Sequence, residues 1–265
     1  MGRAYFIGVR GYVLNQNWMR LRDFFRMRAH FGWLHAALSR LKRPNTPGLR
    51  WAAPLIDSIL HRLDQYTQKN SAKFDQQFGT RTYGRMDVPV NDDPRNPTLW
   101  GYSAINHDFF REIMQSIPEP LDTYTFVDVG SGKGAAVLMA SEFPYKHLVG
   151  VELNAELVHD ARDNVEKFNT RTGKHIAPEW SVGDFFQWKP PQQPCVFFFN
   201  NPFPATLTLL ALERLEKMLS EHQYPTILVF RKAPKSCGDY LHRSTFWTPQ
   251  RLAPYWRVYS RKSHP

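Results

Sequence analysis

The stretch Phe126-Val127-Asp128-Val129-Gly130-Ser131-Gly132-Lys133-Gly134 decides how the rest of the chain is read. An apolar, β-branched run leads into three glycines at alternate positions, and Ala135-Ala136-Val137-Leu138-Met139-Ala140 follows. This pattern predicts a strand, a turn and the start of a helix. Glycine admits backbone angles that side chains resist, and it lets a ligand approach the main chain closely. The helix start adds N–H groups that have no partner within the helix. The turn is therefore a place where a ligand meets backbone, with Asp128, Gly130, Ser131, Gly132 and Gly134 as its candidate binding residues. Its spacing, Gly-x-Gly-x-Gly, differs from the Gly-x-Gly-x-x-Gly of dinucleotide binders.

Downstream of the turn the chain alternates. Apolar runs predict strands over 123–129, 147–152, 179–182, 195–200 and 226–230, with helices over 133–143, 155–168 and 206–220. Such alternation predicts an α/β fold with a doubly wound, mostly parallel sheet. Residues 246–261, with Phe246, Trp247, Trp256, Val258 and Tyr259, supply one or two final strands. Three further polar groupings fall at strand C-termini, the edge where such folds bind ligands. They are Gly150-Val151-Glu152, Gly183-Asp184-Phe185 and Phe199-Asn200-Asn201-Pro202-Phe203. A carboxylate at Glu152 can accept both hydroxyls of a ribose. One at Asp184 can accept the exocyclic amine of an adenine, with Phe185 covering its face.

These ordered motifs resemble those of the class I S-adenosylmethionine-dependent methyltransferases. The first is an acid followed by Gly-x-Gly-x-Gly, matched by Asp128, Gly130, Gly132 and Gly134; Glu152 and Asp184 match the second and third. The resemblance covers about residues 100–232 and implies a seven-stranded, Rossmann-like methyltransferase fold. It assigns Asp128 to the cofactor's ammonium, Gly130 and Gly132 to its amino-acid moiety, Glu152 to its ribose and Asp184 to its adenine. The implied cofactor is S-adenosyl-L-methionine, with S-adenosyl-L-homocysteine as product and no metal. Asn200-Asn201-Pro202-Phe203 resembles the Asp/Asn-Pro-Pro-Tyr/Phe motif of amino-methylating enzymes, departing from it at Asn201. That likeness implies that Asn200 and a following carbonyl orient a target amine and that Phe203 packs against it; Asn200 also borders the cofactor. Tyr102 stands where many class I enzymes contact cofactor or substrate, so Asn200, Asn201, Phe203 and Tyr102 are the candidate catalytic residues. Val127–Gly132, Gly150–Glu152, Gly183–Phe185 and Asn200–Asn201 are also similar to the non-SET histone-lysine methyltransferases, and to bacterial class I enzymes of unknown substrate.

Upstream of the turn the sequence is less motif-like. Residues 14–43 are expected to be helical and amphipathic, 43–48 a linker, and Pro54 the first position of a helix running to about 68. Residues 69–100 are polar and turn-rich, and a helix carrying Phe109, Phe110, Ile113 and Ile117 leads to the central strand. This divides the chain into a basic helical extension, 1–68, and a methyltransferase domain, 69–265. Residues 1–50 hold ten Lys/Arg against the single acid Asp23, so nearly all of the chain's net charge of +10 lies there. Such an arm can meet nucleic acid, an anionic surface or an acidic partner.

Of 265 residues, 42% are apolar, enough for one large domain with an appendage. No run of 18 apolar residues predicts a transmembrane span. Cys195 and Cys237 lack metal or disulfide spacing, which points to a reducing, cytoplasmic setting. The ten histidines show no ligand spacing, so no metal is expected. The oligomeric state and the identity of the acceptor are not written in these motifs. The expected activity is methylation of an amine nitrogen of a small molecule. The alternatives are a protein-lysine or RNA methyltransferase docked by the basic arm, and a non-catalytic binding protein on the same fold.

Overall fold

The computed structural model describes residues 53–86, 102–221, 223–253 and 255–261. The chain divides into two units, Met1–Leu60 and His61–Pro265, and the second contains the sheet and every motif edge. The predicted helix over 14–43, the linker after it and the basic arm lie outside the described residues.

Helix α1 (Ala53–Phe78) opens the described chain. It runs well past the expected end near residue 68, through a stretch whose side chains are mostly polar. Tertiary packing accounts for its last turns. Phe78 sits 4.8 Å from Phe168 and Phe74 stacks on the same ring at 6.3 Å, and Gly79 ends the helix with φ of 70°. Two short strands follow, β1 (Arg85–Met86) and β2 (Tyr102–Ser103), paired antiparallel with Met86 opposite Tyr102. The predicted long loop therefore begins later than expected, and residues 87–101 lie outside the described residues. Helix α2 (His107–Gln115) is capped by Asn106, whose side chain accepts from the Phe109 N–H.

From there the order is regular. Strand β3 (Thr125–Val129) leads to α3 (Ala135–Ala140), β4 (His147–Glu152) to α4 (Ala155–Thr172), then β5 (Glu179–Val182). Strand β6 (Cys195–Asn200) leads to α5 (Ala205–Ser220), β7 (Thr226–Arg231) to α6 (Lys235–Arg243), then β8 (Trp247–Leu252) and β9 (Trp256–Arg261). Helix α6 has no counterpart in the sequence reading. Its only fully buried side chains are Cys237 and Leu241, one turn apart, with Tyr240 partly buried beside them.

The seven strands form one sheet in the order β5-β4-β3-β6-β7-β9-β8. The first five run parallel, and β9 is antiparallel to both β7 and β8. Strand β3 pairs with β4 on one side and β6 on the other, so the winding reverses there. A crevice opens outside the strand C-termini at such a reversal. Side chains along β3 alternate between two cores. Phe126 joins Phe110, Phe198, Val229 and Trp256 on one face; Val127 joins Phe197, Leu212, Leu228 and Tyr259 on the other. Burial on both faces explains why these strands read as continuous apolar runs rather than alternating ones.

Candidate functional site

The glycine turn takes the backbone angles that its composition predicts. Gly130, Gly132 and Gly134 have φ of 75°, 51° and 79°, in the left-handed region that a Cβ disfavours. The Gly130 and Ser131 N–H groups donate to the Val151 carbonyl at 2.9 and 3.1 Å, stitching the turn to β4. The Gly132 N–H donates to Glu152 Oε2 at 2.8 Å, and the Asn154 N–H to Oε1 at 3.0 Å. Glu152 thus joins the turn to the start of α4. A carboxylate has about four lone-pair sites, so lone pairs remain on both oxygens for the hydroxyls of a ligand.

Asp128 lies on the Phe126 face of β3 and is only 3% exposed. Burial, followed by the neighbouring charge of Glu152, pushes its carboxyl up to about 8. None of the ion pairs among the described residues involves it. The Ser131 hydroxyl is also buried and has no hydrogen-bond partner. The floor of the turn therefore holds an acid lacking a counter-charge and a hydroxyl with an unused bond. This arrangement suits a cationic ligand that carries an ammonium.

The fourth motif lies against the first. A Cβ built on Gly130 would come within 2.7 Å of Pro202 Cβ, so glycine is what lets the Asn200–Phe203 turn approach this closely. Asn201 has φ of 56°, a conformation that asparagine tolerates better than most residues. The Asn200 side-chain oxygen accepts from Arg231 Nη1 at 2.6 Å. Phe203 is half-buried, its ring 6.0 Å from Phe185 and 6.1 Å from Phe186.

The structure thus brings together Asp128, Gly130, Ser131, Gly132, Gly134, Glu152, Asn200 and Asn201. The remaining candidates are placed differently. Asp184 Oδ1 accepts from the Phe186 N–H at 2.9 Å, and its carbonyl takes the Gln187 and Trp188 N–H groups, closing a local turn. Asp184 itself stays exposed. Phe185 is buried between Trp188 and Phe199, so its ring belongs to the core. Tyr102 is located by its backbone in β2, and its side chain lies outside the described residues.

Three residues that the sequence reading passed over support this site. Trp180 on β5 stands opposite Gly150, and its indole overlaps the position of any Cβ there. A Cβ on Gly134 would meet the same ring at 2.8 Å. Two of the motif glycines therefore make room for an indole. Asn164 is 1% exposed; its Nδ2 donates to the Lys133 carbonyl at 3.1 Å, and its Oδ1 accepts from the Arg81 N–H at 2.7 Å. It ties the glycine turn to the segment after α1. That segment is itself gathered by Asp75, which accepts from the Thr80 and Thr82 hydroxyls and from the Thr82 and Tyr83 N–H groups. The third residue is Arg231, beside Asn200. A polar residue among Ala161, Val165 and Phe168 on the inward face of α4 was the one available signal for Asn164. Trp180 and Arg231 gave none without the strand register.

Among the described residues, no group of three or more His, Cys, Asp or Glu is placed to hold a metal ion. No helix among them is long and apolar enough to cross a membrane. No family model matches the chain, and no curated protein does. Solved structures do match. The pyocyanin biosynthetic protein PhzM aligns at 18% identity and a TM-score of 0.44, over 58% of this chain and 54% of that one, so the chain spans about half of its length. An RNA methyltransferase from Salinibacter ruber in complex with S-adenosyl-L-homocysteine aligns at 17% identity and 0.41, over 59% and 93%. The magnesium protoporphyrin IX methyltransferase ChlM from Synechocystis PCC 6803, with bound S-adenosylmethionine, aligns at 15% and 0.44, over 73% and 93%. The seven-stranded sheet, with its reversal at β3 and the motifs at its edge, is the doubly wound, mostly parallel α/β fold that the sequence predicts.

Proposed function

We propose that the protein is an S-adenosylmethionine-dependent methyltransferase that acts on an amine nitrogen of a small molecule. The observation that carries the reading is the pairing of a left-handed glycine turn with Asp128, a buried carboxyl that lacks a counter-charge. Bound at this turn, the cofactor supplies an electrophilic methyl group on a sulfonium. Asp128 ionises to hold the ammonium, and the Ser131 hydroxyl completes the polar floor. Gly130 and Gly132 keep the turn clear of side chains, Glu152 accepts the ribose hydroxyls and Asp184 the adenine amine. Asn200, held by its bond to Arg231, and the adjacent backbone carbonyl orient the acceptor amine. Phe203 packs beside that amine. Orientation is most of what transfer to a neutral nitrogen requires.

Titration calorimetry with S-adenosylmethionine and S-adenosylhomocysteine tests the reading. Affinity in the micromolar range is expected, and no heat at millimolar cofactor sinks it. A screen of amines, peptides and RNA with methyl-labelled cofactor then identifies the acceptor; binding without transfer to any of them leaves a non-catalytic binding protein. One observation favours a second reading, a macromolecular acceptor: the concentration of ten Lys/Arg against one acid in residues 1–50.

A further inference from the structure

Arg231 ends β7, opposite Asn200 on one side and Trp256 on the other. Its guanidinium carbon lies 5.2 Å from the centre of the Phe109 ring. Nη1 donates to Asn200 Oδ1 at 2.6 Å, which fixes the plane of the group. Nε is shielded from solvent and has no hydrogen-bond partner. The ion pairs among the described residues join His107 and Arg111 to Glu142, and Lys133 to Asp160; none reaches Arg231. Lys232 follows with φ of 54°, held by its N–H donating to the Tyr255 carbonyl at 2.8 Å. Lys232 is exposed, and the charge of Arg231 beside it draws its amine below the usual lysine range. Burial alone draws Arg231 down to about 10.

A guanidinium with a buried and unused N–H is unfavourable unless an acceptor meets it, and the exposed ammonium of Lys232 adds a second positive charge next to it in the chain. They stand at the ligand-binding edge of the sheet, beyond β6 from the strands that carry Asp128 and Glu152. The cofactor motifs occupy β3, β4 and β5; Arg231 is on the other side of Asn200.

We propose that Arg231, oriented by Asn200 and backed by Lys232, is an oxyanion subsite for the methyl acceptor, which carries a carboxylate or phosphate near its reacting amine. The inference rests on the methyltransferase reading and deepens it. With Nη1 engaged, the Nε–Nη2 edge is the one left for a second partner; an anion that shifts the cover over Nε meets that edge in two parallel hydrogen bonds.

The probes are inorganic phosphate and malonate, titrated by calorimetry with and without saturating S-adenosylhomocysteine, against chloride at equal ionic strength. One of the two anions is expected to saturate in the millimolar range. Phosphate saturating alone indicates a phosphorylated acceptor, and malonate alone a carboxylate. Arg231→Gln is expected to weaken that binding at least about tenfold, with Arg231→Lys restoring part of it. Unchanged affinity for S-adenosylhomocysteine shows that each variant is folded, and Lys232→Gln, with its smaller expected loss, is a second variant should Arg231→Gln fail that check. Anion binding no better than chloride, or equal in wild type and Arg231→Gln, overturns the subsite. Failure of S-adenosylhomocysteine to bind wild type refutes the methyltransferase reading instead, and the anion titrations without it still decide whether the subsite exists.

Discussion

On the proposed reading, Asp128 is expected to couple cofactor binding to pH. Its carboxyl titrates at about 8, and an ammonium beside it requires the ionised form. Affinity for S-adenosylmethionine is therefore expected to rise about tenfold per pH unit up to that value and to level off above it. Calorimetry in buffers of different ionisation enthalpy reads the proton released; no release below pH 8 would separate Asp128 from the ammonium. The same shift bears on stability. An acid whose pKa is raised on folding keeps its proton longer in the native state, so stability falls as pH rises from its ordinary value of 3.8 to about 8. Asp128→Asn removes that slope, and the variant is expected to melt above wild type near pH 8 but not near pH 4, while binding cofactor more weakly. Gly132→Val places a β-branched side chain at φ of 51° in the middle of the turn. Loss of cofactor binding is the expected result; retained affinity in a folded variant would move the site elsewhere. Asn200→Ala removes the bond to Arg231 and, on the proposed reading, one acceptor for the amine. It is expected to leave cofactor affinity nearly unchanged and to lower turnover about a hundredfold, which single-turnover transfer measures.

At the scale of elements, the sequence is most legible where packing is simplest. Strands β4 and β6 begin and end where the apolar runs do, because their inner residues are buried and the strands are bounded by polar or turn residues; β5 keeps its expected bounds at the sheet edge, although none of its residues is buried. Helix α1 overran its expected end because Phe74 and Phe78 find Phe168, a partner about ninety residues away that no local pattern reveals. Helix α6 went unseen because only two of its apolar side chains are buried. The site shows the same division. Asp128, the glycines and Glu152 were legible because their spacing is set along one turn and its neighbouring strand. Asn164 and Trp180 were not, since their roles exist only once α4 and β5 are docked. Asn164→Ala tests one of these joints. It leaves the Arg81 N–H and the Lys133 carbonyl without their partner, a loss of about 1–3 kcal/mol for groups held away from water. A matching drop in urea-unfolding free energy is expected, with weaker cofactor binding because the turn loses its tie to α4; unchanged values of both would mean that water replaces the side chain.

At the scale of the whole molecule, charge is distributed very unevenly. Residues 1–50 carry all but one of the net positive charges, and the body of the chain is nearly neutral. If the acceptor is a macromolecule, deleting residues 1–50 is expected to weaken its binding and flatten the salt dependence, while cofactor affinity stays the same. Fluorescence anisotropy with labelled RNA and with acidic peptide, across a range of salt, reads both effects, and unchanged curves would remove the arm from recognition. The order of strands at the sheet's far edge has a different consequence. Strand β9 lies between β7 and β8, although β8 precedes it in the chain. During synthesis β8 emerges with no strand to pair with, and the edge of β7 that faces away from Asn200 stays bare until Trp256–Arg261 has left the ribosome. An exposed edge of this kind invites pairing with other chains. A chain cut short between residues 247 and 255 and released from the ribosome would therefore carry a bare β7 edge and be prone to aggregate.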